Sequence, residues 1–219
     1  MPRKRFLPTA GAVLALTLST PAMTAPPPSI QSQLPEGVSA GSLDPNGAPA
    51  GTYAVDRDHT AVIAKVSHIG YSLSVFRFDK VDATLTWDPA RPERSTLKAT
   101  VETASIDTPV EGFAKELSGD NYLKSSAFPQ ATFVSTAFHR VDAAHGRVEG
   151  QFTLLGHTHP VTFDVELTGA GKGFMGHARI GAEATARIRP ADYGLLPVFG
   201  DAIILVIDAE FAERGPAKA

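Results

Sequence analysis

The chain has 219 residues, 43% of them apolar, a formal net charge of -3 and no cysteine. That length suits one large β domain or two small ones, with enough apolar content for a core. The charge gives no basic field for nucleic acid, and the missing cysteine excludes disulfides, thiolate metal sites, cysteine nucleophiles and a lipidated N-terminal cysteine.

Arg3, Lys4 and Arg5 precede an apolar run from Ala10 to Leu18 that is too short for an ordinary transmembrane helix. Small residues follow, with Ala22 or Ala25 as the end. Residues 1–25 therefore read as a cleaved signal peptide, and the expected location is the periplasm. Residues 26–51 are rich in Pro, Gly, Ser and Ala and poor in large apolar side chains. Such a segment buries too little surface to offset its ordering entropy, so a disordered linker is expected. The folded domain is placed at 52–212 and a tail at 213–219.

Within that domain apolar and polar residues alternate, the signature of half-buried strands. Val62, Ala64, Val66 and His68 share one face of a first strand. Ser74 to Asp88 holds a second strand, with Val81, Ala83, Leu85 and Trp87 inward. Thr96 to Ile106 is a third, with Leu97, Ala99 and Val101 inward. Residues 107–129 change period: Phe113, Leu117 and Tyr122 or Leu123 recur at helical spacing, broken at Gly119. Ala131 to Phe138 returns to strand. Arg147 to Leu155 and Val161 to Leu167 form a hairpin across a turn at Gly156 to Pro160. After a glycine-rich turn at Gly169 to Gly176, Ala178, Ile180, Ala182, Ala184, Ala186 and Ile188 face one way. Ile203 to Phe211 closes the set and is apolar on both faces through Val206.

About eight strands with one helical insert predict an all-β fold: a closed antiparallel β-barrel. Closure removes exposed strand edges. A barrel of this size is either filled by side chains or holds one slender ligand. The alanine face of 178–186 leaves volume unless large residues opposite fill it, and periodicity alone leaves both outcomes open.

Several motifs stand in order along the domain: Tyr53-Ala54-Val55-Asp56 with His59-Thr60 and then His68; Ser105-Ile106-Asp107-Thr108; Asp120-Asn121-Tyr122-Leu123 through Phe128-Pro129, with Thr132-Phe133 following; Gly150-Gln151-Phe152-Thr153 through Gly156 and Pro160; and Asp192-Tyr193-Gly194 with Gly200-Asp201. Together they resemble the YceI-like family of exported polyisoprenoid-binding proteins. The resemblance implies a lipocalin-like barrel, an elongated apolar cavity holding a polyprenyl chain, and no catalytic residues. The sequence departs from the family pattern at Ala64, where Phe is frequent, at Ala83 (Gly), at Tyr122 (His) and at Pro190, where Arg is usual and Arg189 lies one position earlier.

The expected ligand wall is Val62, Val66, Phe76, Phe78, Phe113, Leu123, Phe133, Phe152, Leu154, Phe163, Ala182 and Ala184. His68 either hydrogen-bonds a polar head or is satisfied by backbone. His157 and His159 read as a polar turn at the rim. No cofactor is expected beyond a bound polyprenyl-type lipid or isoprenoid quinone. The partner is a long-chain isoprenoid lipid, with a homodimer contact through Ile203 to Ile207 and a transient membrane contact as further expectations. The leading function is an exported lipid carrier or sequestering protein, not an enzyme. The alternatives are a stress-response or interaction module with a filled barrel, and a metal-dependent enzyme using His59, His68, His157 and His159.

Overall fold

The computed structural model describes residues 34–36, 38–173 and 176–214. The segment read as a signal peptide lies outside the described residues. Eleven strands form one sheet that closes on itself: β1 (Gly51–Val55), β2 (Ala61–His68), β3 (Ser72–Phe78), β4 (Val81–Trp87), β5 (Thr96–Glu102), β6 (Ile106–Asp107), β7 (Gln130–Arg140), β8 (His145–Leu154), β9 (His157–Lys172), β10 (Ala178–Ile188) and β11 (Ile203–Glu213). Among the described residues one α-helix, α1 (Phe113–Ser118), sits in the insert between β6 and β7.

The eleven strands act as eight antiparallel staves. One edge of β11 pairs with β2 over Ile203–Asp208 and with β1 over Phe211–Glu213, so β1 and β2 form a single kinked stave. β3 pairs with β2 and β4 with β1; β6 then pairs with β3 and β5 with β4. The first three staves thus break at one level: at Asp56 to Thr60, at Asp79 and Lys80, and at Thr103 to Ser105. Hydrogen bonds hold the breaks together. Asp56 N donates to Glu210 O at 2.7 Å, and Glu102 N donates to Lys80 O at 2.9 Å. The Thr103 hydroxyl, buried, donates to Phe128 O at 2.8 Å and ties the insert to this level.

At the upper end lie the β2–β3 turn, the insert, the β8–β9 turn and the 189–202 loop. At the lower end lie the β4–β5, β7–β8 and β9–β10 connections. Two buried clusters follow from this. Phe76, Phe133, Phe163, Ile188 and Tyr193 belong to one, and Tyr53, Leu85, Ile180 and Phe211 to the other.

Three expectations are corrected. Ser74 to Asp88 is two strands, because the chain bends at Asp79 and Lys80 to follow the kinked neighbour. The turn expected over Gly156 to Pro160 is only Leu155 and Gly156, both with positive φ (52° and 79°), the backbone that a two-residue hairpin requires. His157, His159 and Pro160 are therefore already in β9, opposite Leu154, Phe152 and Gln151.

The described part of the expected linker also packs on the barrel. Ser42 N donates to Ala170 O at 3.0 Å, and Ala170 N donates in return to Ser42 O at 2.8 Å. Ala48 is 0% exposed, and Pro45 is buried. Composition missed this because the contact is made by backbone. A Cβ on Gly41 would lie 3.0 Å from Gly169 Cα, so glycine on both sides lets the two chains meet.

Candidate functional site

Side-chain alternation on eight staves aims one apolar face of each at the axis. There it encloses a cavity of about 320 Å³, within the range of ligand sites. β2 contributes Val62, Ala64 and Val66; β3 contributes Phe76 and Phe78; β7 contributes Phe133. Phe152 and Leu154 come from β8, Phe163 from β9, and Ala182 and Ala184 from β10. Leu123 reaches the wall from the insert. Ala184 pairs with Val165 and Ile207, and Ala182 with Leu167 and Ala209, and all four neighbours line the same cavity. The wall is almost wholly carbon. Such a surface attracts apolar ligands by burial, at roughly 25 cal/mol per Å² removed from water.

Two of the expected site residues stand elsewhere. His68 is exposed at the end of β2, beyond the barrel rim, where its carbonyl accepts from Tyr71 N at 3.0 Å. The alternation is right, but the strand outlasts the interior by one inward position. Phe113 lies behind the wall and packs on Phe76, with ring centroids 6.2 Å apart.

Other wall residues had no place in the expected set. Leu205, Ile207 and Phe211 of β11 line the cavity; a strand apolar on both faces hides which face is inward. Trp87 also lines it, and its inward position at the end of β4 was readable from alternation. Tyr122, Leu195 and Phe199 line its upper end, with the Tyr122 and Phe199 rings edge to face at 5.6 Å.

His157 and His159 share the register of Leu154 and Phe152, so they are rim residues of a strand and not a turn. His159 meets Tyr193 edge-on at 5.2 Å, and Phe152 meets the same ring at 5.4 Å. Tyr193 is 1% exposed, and burial pushes its phenol up to about 12.

Among the described residues, the one group of three metal-ligating side chains is Asp56, His59 and Glu210, with ligand atoms within 4.8 Å of one another. A cation already stands there. Arg179 Nη1 donates to Asp56 Oδ2 at 2.7 Å and to Glu210 Oε1. The guanidinium hydrogen bond chiefly, helped by His59, holds the Asp56 carboxyl below its ordinary value. The cluster locks the kink between β1 and β2 to β10 and β11. His68, His157 and His159 are not in it.

A closed barrel of eight antiparallel staves around one carbon-walled cavity defines a lipocalin-like barrel class. Within that class the chain belongs to the YceI-like family: the YceI-like domain model matches residues 53–211. A UPF0312 protein of Pseudomonas putida (strain W619) is 35% identical over 155 residues, covering 70% of this chain and 81% of the relative. Protein YceI of Escherichia coli O157:H7 is 33% identical over 172 residues, covering 76% and 90%. Among solved structures, the Campylobacter jejuni YceI protein superposes with a TM-score of 0.63 at 26% identity, over 69% of this chain and 91% of that one. A polyisoprenoid binding domain from Saccharophagus degradans shares the fold, with a TM-score of 0.55 at 13% identity over 74% and 98%.

Proposed function

We propose that the barrel binds a polyisoprenoid or similar long apolar chain and serves as an exported carrier or sequestering protein. The observation that carries this reading is the axial cavity with its carbon wall, which a chain without a hydrogen-bonding body would fill. The polyisoprenoid binding named for the S. degradans domain supports the same ligand class. The reading is of a binding protein and not an enzyme. In its support, the polar groups bordering the lower end are paired among themselves: His145 with Asp142 at 2.9 Å, Arg147 with Asp164 at 3.1 Å, and Arg140 with the Pro89 carbonyl.

Export rests on the basic and apolar N-terminal run of the sequence. Contact with a membrane during loading would use the upper end, where Ile69, Tyr71 and Val198 stand exposed. The test is to recover the protein from its native periplasm, extract it with organic solvent and record the mass spectrum. A stoichiometric long-chain apolar molecule is the expected result. Repeated extraction without one, together with no uptake of added polyprenols, overturns the reading.

A second reading draws on the outer face of β2, β3 and β11. Ile63, Ile204 and Val206 are half-buried there, and Leu73 and Val75 are exposed. Such a face suits a second copy, as an interaction module would require. Sedimentation across a concentration series tests it; a monomer at all concentrations removes it.

A further inference from the structure

The segment before β1 is anchored on two opposite sides of the barrel. Ser42 pairs with Ala170, on the edge of β9 that β8 leaves free beyond Glu166. Gly51 opens β1 opposite Trp87, the last residue of β4. Around the lower half of the barrel β4 and β9 stand four staves apart in either direction, so they face each other.

Between these anchors the segment turns inward. Asp44 caps one 3-10 turn, Pro45–Gly47, and its carboxylate accepts from Asn46 N at 2.9 Å. Pro45 is buried and lines the cavity. Ala48 is 0% exposed and shares a buried cluster with Leu85 of β4, Leu167 of β9, Ile180 of β10 and Phe211 of β11. All four are inward residues of the cavity wall. A chain laid outside the rim would not join that cluster. The Tyr53 hydroxyl, on a buried ring, fastens the far end by donating to Pro49 O at 2.7 Å. The YceI-like match begins at Tyr53, so the segment lies in front of the matched domain.

Resting on the cavity reading above, we propose that residues 42–50 floor the cavity and limit the length of the apolar chain it takes. Pro45 is where the chain end stops. Entry is left to the upper end, where Tyr122 and Phe199 line the wall. Apolar binding grows with the area removed from water. Affinity should therefore rise with chain length only until the chain reaches the floor. Length beyond that stays in water at the upper mouth and adds nothing.

The test titrates the lipid-stripped full chain with all-trans prenols of stepwise increasing length. In the wild type each isoprene unit below the limit should tighten binding at least about tenfold, and units above it should leave the affinity level. Gly47→Ala brings a Cβ to 2.6 Å from Ala170 O and should unseat the segment, so its plateau comes at a longer chain. Pro45→Phe puts a ring into the floor, so its plateau comes at a shorter one.

A wild-type affinity that climbs without a plateau, or a plateau at the same length in both variants, overturns the inference and leaves the cavity reading intact. So does an unmoved plateau in Gly47→Ala when faster hydrogen exchange at Ala170 shows the segment lifted. Should that exchange stay slow, Pro45→Phe decides; should Pro45→Phe fail to fold, Gly47→Ala decides. Binding of no prenol at any length overturns the cavity reading, and this inference with it.

Discussion

At the scale of single residues, the barrel depends on where a side chain can and cannot fit. Gly150 is the sharpest case. A Cβ there would lie 2.4 Å from Phe133 Cζ and 2.6 Å from Val134 O, so the Phe133 ring covers the glycine. Gly150→Ala should cost about 1–3 kcal/mol, the usual range for overpacking, read as a lower denaturant midpoint with an unchanged m-value. Asp56 gives a pH signature. Its carboxyl is held below the ordinary 3.8, chiefly by the Arg179 hydrogen bond. A lowered native value means the stabilisation is fully present above 3.8 and is lost as pH falls through the native value. Thermal unfolding of the wild type should therefore drop steeply in that acid window, and Asp56→Asn should flatten the drop. A wild type and variant with parallel profiles would remove Asp56 from the account. The sequence already showed the alternation that puts Val62 and Val66 inward. It could not show that the barrel ends before His68, because strand length and barrel height are independent in the pattern.

At the scale of elements, the kinks and the docked segment are the informative parts. Periodicity marks Val81, Ala83 and Leu85 as one face. It does not mark the break at Asp79 and Lys80, which exists because the neighbouring stave bends at Asp56 to Thr60. Leu155 hid the β8–β9 turn for a local reason: leucine seldom takes positive φ, yet here its buried side chain rewards that conformation. Residues 41–48 hid for the opposite reason, since glycine-rich composition reads as linker whether or not the backbone is seated. A Cβ at Gly47 would meet Ala170 O at 2.6 Å. Gly47→Ala should therefore lift the segment from β9 and release the Ala170 amide from the Ser42 carbonyl. Hydrogen exchange at Ala170 should then accelerate, while amides in the middle of β8 keep their protection. Unchanged exchange at Ala170 would show that the segment does not protect this edge.

At the scale of the whole molecule, the question is whether the barrel is solid or hollow, and sequence alone left it open. The alanine face of β10 was legible as missing volume. Whether large residues opposite would fill it was not legible, because alternation fixes which face is inward and not what lies across the barrel; a cavity remains there in the structure. The family motifs were legible too, and the YceI-like match over 53–211 shows that family. β11 was the part of the wall least readable, because Ile203 to Ile207 is apolar in both phases. The central claim is that the cavity holds a long apolar chain, and filling it tests the claim most directly. Ala184→Phe adds a ring to a cavity-lining position without adding charge. Lipid-stripped wild type titrated with a polyprenol should bind it near one to one. Ala184→Phe should bind at least about tenfold more weakly, a loss of ~1.4 kcal/mol, while its melting temperature stays within a few degrees of the wild type. Equal polyprenol binding by a folded Ala184→Phe protein, or none by the wild type, would contradict the account.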